Sequence, residues 1–226
     1  PTGYTGTFTF CGDKRFLPYL SDNKFVFNLA NNHIFNYGQE GFFQTQEFLT
    51  QKNIPFFYSD CTDCNTKFVT YSVNGILFGF LGYDFITHPD LGSNQILADV
   101  TKYNSSVDWL IVSLHWGNEY RPDPETWRIS LAHDLIDAGA DIIHGHHPHV
   151  WQEPEVYRDR PIFYSLGNFI FDQSWSYETS HTNIVRLTLT KNQLDFYQSF
   201  PVEIVANSQP QLSSSSLPPV YLQTSP

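Results

Sequence analysis

The chain has 226 residues, enough for one sizeable domain with a core of its own. Its formal net charge is −11 and its Lys and Arg residues form no cluster, so nucleic acid and anionic membrane surfaces, which need a basic footprint, are poor partners. An acidic chain can still take an anionic substrate where metal ions supply local positive charge.

No apolar run approaches the eighteen residues of a membrane-spanning helix. The chain shows no signal peptide and contains no Met, and its opening Pro1-Thr2-Gly3 reads as a fragment or a processed product. Residues 1–7 and the tail 207–226, with Ser213 to Ser216 in a row, read as loose ends around one domain over 1–206.

In chain order, Asp13 reads as the N-cap of a helix over Lys14–Leu20. Phe25 to Ala30 reads as a strand. Gln39 to Gln51 reads as a helix, with Phe42, Gln46 and Leu49 at helical spacing. Phe68–Val73 and Ile76–Leu81 flank Asn74-Gly75, a strong hairpin signal. The unbroken run Val107–Leu114 fits a strand buried on both faces. A helix entered through Pro122-Asp123-Pro124-Glu125 follows, with Trp127, Leu131, Leu135 and Ala138 as its inward stripe and Gly139 at its C-terminal cap. Ala140–Gly145 and Ile162–Leu166 are short strands, and Asn183–Thr190 pairs with Gln193–Phe200 across Lys191-Asn192. Strand, helix, strand and then hairpins predict an α/β sandwich with parallel and antiparallel pairing.

Histidine placement carries the chemistry. Four of the nine histidines fall in His144-Gly145-His146-His147-Pro148-His149, directly after a strand. Imidazole is the commonest protein metal ligand, and strand ends of open α/β sheets are where sites form. His115 ends the preceding buried strand, and Asn31-Asn32-His33 ends the strand Phe25–Ala30. An Asn amide oxygen can ligate a metal, and an adjacent His can protonate a leaving oxygen. Glu119 stands close to His115 in sequence and fits either an orienting partner for a ligand imidazole or a general base. Asp84 follows a strand and could reach a metal. Cys61-Thr62-Asp63-Cys64 has CxxC spacing, compatible with metal, a disulfide or two thiols.

These residues lie in motifs that resemble a known family. Leu29-Ala30-Asn31-Asn32-His33 with Tyr37-Gly38 and Gly41, then His115-Trp116-Gly117-Asn118-Glu119-Tyr120, then Asp137 through Val150, then Tyr164-Ser165-Leu166-Gly167-Asn168-Phe169 resemble, in order, the motifs of the CapA family of capsule poly-γ-glutamate biosynthesis proteins. The resemblance covers roughly residues 8–190. It implies the calcineurin-like metallophosphoesterase fold, a four-layer αββα sandwich, and two divalent metal ions (Mn, Fe or Zn) at strand ends. On that scheme Asn32 and His115 are ligands, completed by two histidines of the run. His146 with His149 is the favoured pair and His147 with His149 the alternative, and His33 is the general acid or transition-state stabiliser. The Gly-Asp and Asn-Leu-Glu segments with which that family opens are not found here. The chain is therefore expected to begin after both and to be incomplete at its N-terminus. The family also implies a phosphoester or anionic-polymer substrate, contact with a membrane-bound polyglutamate synthase, and a place at the cell envelope or extracellular face. A non-catalytic accessory role is the alternative function.

Overall fold

The computed structural model describes residues 9–13, 15, 25–60, 65–206, 208–213 and 217–222. Cys61 and Cys64 lie outside these residues, as does most of the helix expected over 14–20. Asp13 Oδ1 does accept the backbone N–H of Arg15 at 2.9 Å. Among the described residues no helix is long and apolar enough to cross a membrane.

The chain runs through β1 (Phe27–Asn28), α1 (Gly38–Gln51), β2 (Phe56–Phe57), β3 (Val69–Val73), β4 (Ile76–Asp84), α2 (Ser93–Tyr103), β5 (Trp109–His115), α3 (Thr126–Asp137) and β6 (Ile142–His146). Short strands follow as β7 (Trp151–Gln152), β8 (Glu155–Tyr157), β9 (Arg160–Phe163) and β10 (Ser165–Leu166). The last elements are the single-turn α4 (Tyr177–Ser180), β11 (His181–Leu189), β12 (Leu194–Val205), β13 (Gln209–Leu212) and β14 (Val220–Tyr221).

A six-stranded sheet in the order β3-β4-β5-β6-β9-β8 forms the backbone of the molecule. Its four central strands are parallel, and the edge strands β3 and β8 run antiparallel to their neighbours. The β4-α2-β5 and β5-α3-β6 crossovers supply the parallel pairs, as such connections must. A second, antiparallel sheet has β12 at its centre, paired with β11, β13 and β14.

Period-2 alternation sorts the side chains of β5 and β6 between two layers. Leu110, Val112, Leu114 and Ile143 join Ile96, Val100, Leu131 and Leu135 in the core beneath α2 and α3. Trp109, Ile111 and Ile142 point the other way, into the seam with Leu194, Tyr197, Val185 and Leu187 of the small sheet. This α/β sandwich, with mixed parallel and antiparallel pairing, is the class the sequence predicts. Ser113, His115, His144 and His146 fall on the seam side by the same alternation, so the sequence pattern itself lodges polar groups between two sheets.

Several boundaries differ from expectation. Only Phe27 and Asn28 of the 25–30 segment pair as strand, because their sole partner is the two-residue β2. Trp127 does not face inward; it is 46% exposed, and the fully buried residue of that turn is Arg128. The tail, read as loose, contributes β13 and β14, which pair with β12 and occupy an edge that would otherwise offer open hydrogen-bonding groups.

Candidate metal centre

The parallel register aligns Asp84, His115 and His146 as one row across the C-terminal ends of β4, β5 and β6. Asn32, after β1, also reaches this row, its Oδ1 lying 3.1 Å from His115 Nε2, so the three strand ends named from sequence lie together. What each side chain does there differs from one to the next.

One carboxylate oxygen of Asp84 is spent on its own turn. Asp84 is 1% exposed and its Oδ1 accepts the backbone N–H groups of Ile86 and Thr87 at 2.9 and 3.3 Å. His115 Nδ1 and His146 Nδ1 lie 2.6 Å apart, and His115 Nε2 lies 3.1 Å from Asn32 Oδ1. Asn32, His115 and His146 thus form one hydrogen-bonded group. Burial, followed by the charges of neighbouring histidines, pushes both imidazoles well below the ordinary range and keeps them neutral.

The second group lies just outward. Glu119, His147 and His149 each offer a ligand atom, and these atoms lie within 4.8 Å of one another. Asn168 Nδ2 donates to Gln173 Oε1 and to the Thr179 carbonyl, so its Oδ1 is the acceptor that faces His149 Nδ1 at 2.8 Å. In the neutral ring the His149 proton therefore sits on Nδ1, and Nε2 carries the lone pair. That nitrogen is 3.9 Å from Glu119 Oε1, too far for a hydrogen bond. An orienting amide behind a histidine whose other nitrogen is free is the usual second-layer arrangement of a metal site. The ring is also held between Tyr120 and Phe171, with centroids at 5.9 and 5.3 Å.

His147 offers the third donor of this group. Its Nδ1 is buried with no hydrogen-bond partner among the described residues. Burial, then the charge of His149, lowers its pKa to about 4, so it is a neutral ligand-type imidazole at physiological pH. His147 and His149 adopt φ of +102° and +63°, on either side of Pro148. Left-handed backbone at two non-glycine residues is strained, and such strain concentrates at functional sites. A neutral orphan nitrogen, a bare imidazole lone pair and a carboxylate are donors that fit a divalent cation. Glu119 thus stands with His147 and His149 rather than beside His115, where the sequence places it.

His33 lies close enough that its charge contributes to the lowering of both His115 and His147. Asn31 Oδ1 accepts its backbone N–H at 2.9 Å, closing the turn that aims it. Asn36 Oδ1 accepts from Phe10 N at 3.0 Å and faces His33 Nδ1 at 3.1 Å, so His33 Nδ1 donates and Nε2 is the working nitrogen.

The motifs around these ligands have separate physical jobs. Gly117 is at φ +83°, and a Cβ there would stand 2.0 Å from Arg128 Nη1. Arg128, wholly buried, sits over Trp116 at 4.8 Å and donates to Gln152 Oε1 and to the Tyr164 carbonyl. It thereby ties the His115 strand end to the segment before Asn168. Asn28, Asn36, Asn168 and Arg128 were not foreseen as site residues. The polar Asn28 within the apolar run Phe25–Ala30, and Asn168 within a recognised motif, were the available signals.

Comparison with known proteins identifies the family. Residues 1–173 match the family model described as bacterial capsule synthesis protein PGA_cap. The chain belongs to that capsule synthesis family. It is 35% identical over 208 residues to the PGA biosynthesis protein CapA of Bacillus subtilis (strain 168), covering 85% of this chain and 54% of the relative. It is 33% identical over 207 residues to the capsule biosynthesis protein CapA of Bacillus anthracis, covering 84% and 50%. A shorter match, 40% over 78 residues, joins it to a probable polyglutamine synthesis accessory protein of Mycobacterium tuberculosis, covering 34% of this chain and 20% of that one. The chain spans about half the length of its two Bacillus relatives.

Proposed function

We propose that this chain carries the metal-dependent, phosphoesterase-type hydrolytic centre of a capsule or polyglutamate biosynthesis protein. His147, His149 and Glu119 would hold a divalent ion, manganese, iron or zinc, since all three accept imidazole and carboxylate. Asn32, His115 and His146, expected from the sequence around a second ion, are here hydrogen-bonded to one another. The observation that carries this reading is the orphaned, buried His147 Nδ1 beside a His149 whose Nε2 is left bare by Asn168.

When bound, such an ion supplies Lewis acidity toward a phosphoryl or related oxygen and a more acidic water. The chain's own residues do the rest. Asn168, Tyr120 and Phe171 fix the His149 ring so that Nε2 needs no reorientation on loading. His33, held through Nδ1–H by Asn36, would in its doubly protonated form give the Nε2 proton to a departing oxygen. Glu119, with its side chain 45% exposed, sits at the solvent mouth, where it could also accept a proton from an entering water. An anionic substrate, phosphoester or polymer, reaches this acidic surface only if cation charge offsets it.

A second reading is a non-catalytic accessory of a membrane-bound polyglutamate synthase, working at the outer face of the cell envelope. The naming of the Mycobacterium relative as a probable synthesis accessory protein favours it. Hydrolysis of bis(p-nitrophenyl) phosphate by the chain with added Mn²⁺ separates the two. Activity that chelator removes, and that falls in His33→Ala, supports the enzyme. Complete inactivity of a protein that nonetheless binds metal would refute the hydrolytic reading and leave the accessory one.

A further inference from the structure

Asn28 lies at the inner end of the site and touches three groups at once. Its Oδ1 accepts the Ala30 backbone N–H at 2.9 Å, which fixes the amide's orientation, because a turned amide would set an NH2 against that N–H. Its Nδ2 then donates both its hydrogens, one to Ser113 Oγ at 3.0 Å and one toward His146 Nε2 at 2.9 Å. The amide is also walled in: a Cβ on Gly82 would stand 2.5 Å from Asn28 Oδ1. Only a glycine in β4 leaves room for it there.

The donor and acceptor roles propagate from this one fixed amide. Since Asn28 Nδ2 can only donate, His146 Nε2 is the acceptor and the His146 proton is on Nδ1. At 2.6 Å that Nδ1–H is shared with His115 Nδ1, which must be bare, so the His115 proton is on Nε2, facing Asn32 Oδ1. In the other direction Ser113 accepts from Asn28 and gives its own proton to His144 Nδ1 at 2.8 Å. All four ring nitrogens of His115 and His146 are thereby occupied. For either Nδ1 to meet a cation, His146 would have to move its proton to Nε2, directly against the Asn28 NH2.

We propose that Asn28 is a positioning residue that locks His146 in its Nδ1–H tautomer, keeps it from serving as a metal ligand, and so makes His147, His149 and Glu119 the one cation site open among the described residues. This inference rests on the metal-centre reading above. It goes beyond it in assigning unequal roles to two adjacent histidines and in naming the residue responsible.

Two measurements on the 226-residue chain test it. The first is a long-range ¹⁵N–¹H correlation spectrum of the metal-free protein, with His146→Gln used for assignment. His146 as the Nδ1–H form and His115 as the Nε2–H form is the expected result. A His146 carrying its proton mainly on Nε2 overturns the lock. The second is Zn²⁺ titration by calorimetry of the wild type and of Asn28→Asp. The carboxylate introduced by that substitution keeps the acceptor for Ala30 N–H but accepts a proton from His146 Nε2, so the inner nitrogens become free. Stoichiometry should rise from about one in the wild type to about two in the variant. Two equivalents in the wild type, or one in both proteins, would overturn the proposal. Absence of zinc binding in both, with the tautomers as stated, would instead refute the metal-centre reading while leaving the lock itself upheld.

Discussion

Acid should destabilise this protein well above the range where carboxylates alone titrate. His144 and His147 both have their pKa lowered from 6.5 to about 4, with burial the largest cause in each. Between those values the unfolded chain binds protons that the folded chain refuses, so stability falls as pH drops from about 6.5 and the loss is complete below about 4. At pH 5 the linkage relation gives a loss of about 2 kcal/mol for each imidazole. His115 and His146, also lowered, act in the same direction. Asp60 opposes them. Burial raises its pKa to about 7, so its folded-state proton is taken up as pH falls and about 2 kcal/mol is regained between pH 7 and 5. The net change is therefore a loss of at least about 2 kcal/mol. At a urea m-value of about 2 kcal/mol per molar, the unfolding midpoint should drop by about 1 M between pH 7 and pH 5. Urea titrations followed by fluorescence and circular dichroism, with chelator present to keep cations off the imidazoles, read this directly. His147→Gln should shrink the pH-dependent loss by about 2 kcal/mol. A midpoint that is equal or higher at pH 5 would refute the assignment of these histidines as buried and neutral.

Three further outcomes are expected. Asn168→Ala removes the acceptor for His149 Nδ1–H and should weaken metal affinity by about 10- to 100-fold without changing stoichiometry, measured by competition with a chelating dye; unchanged affinity would contradict the orienting role. Gly117→Ala forces a Cβ into Arg128 at a left-handed backbone position and should cost about 3 kcal/mol or more in a thermal or denaturant melt, whereas a neutral effect would mean that Arg128 can move aside. His33→Ala should lower phosphodiesterase turnover by about 10²- to 10⁴-fold while leaving bound metal unchanged, so loss of the metal instead would make His33 a ligand.

The main strands and the three polar strand ends were legible because they rest on local patterns. The apolar run Val107–Leu114 predicted β5, and Asn74-Gly75 predicted the β3–β4 hairpin in the observed register. Helix α2 was not legible. Among its eleven residues the buried ones are Ile96, Val100 and Asp99, and Asp99 is there because it accepts from Tyr83 and pairs with Lys67 at 2.9 Å. The apolar stripe expected for α3 fails at Trp127 because its inward position is taken by Arg128, whose charge is met by Glu125 one turn back and by Gln152 and the Tyr164 carbonyl far along the chain. The division of the histidines was hidden for a similar reason. Nothing in the run His144–His149 distinguishes the members. The difference comes from Asn28 on one side and Asn168 on the other, each brought in by tertiary structure.

The central claim, a cation held by His147, His149 and Glu119, is most directly tested by metal content. The chain would be loaded with Mn²⁺ or Zn²⁺, desalted, and analysed by plasma mass spectrometry beside a His147→Ala/His149→Ala double variant. About one equivalent retained by the wild type and lost in the variant is the predicted result. Equal metal in the two proteins, or none in the wild type after loading, would contradict it.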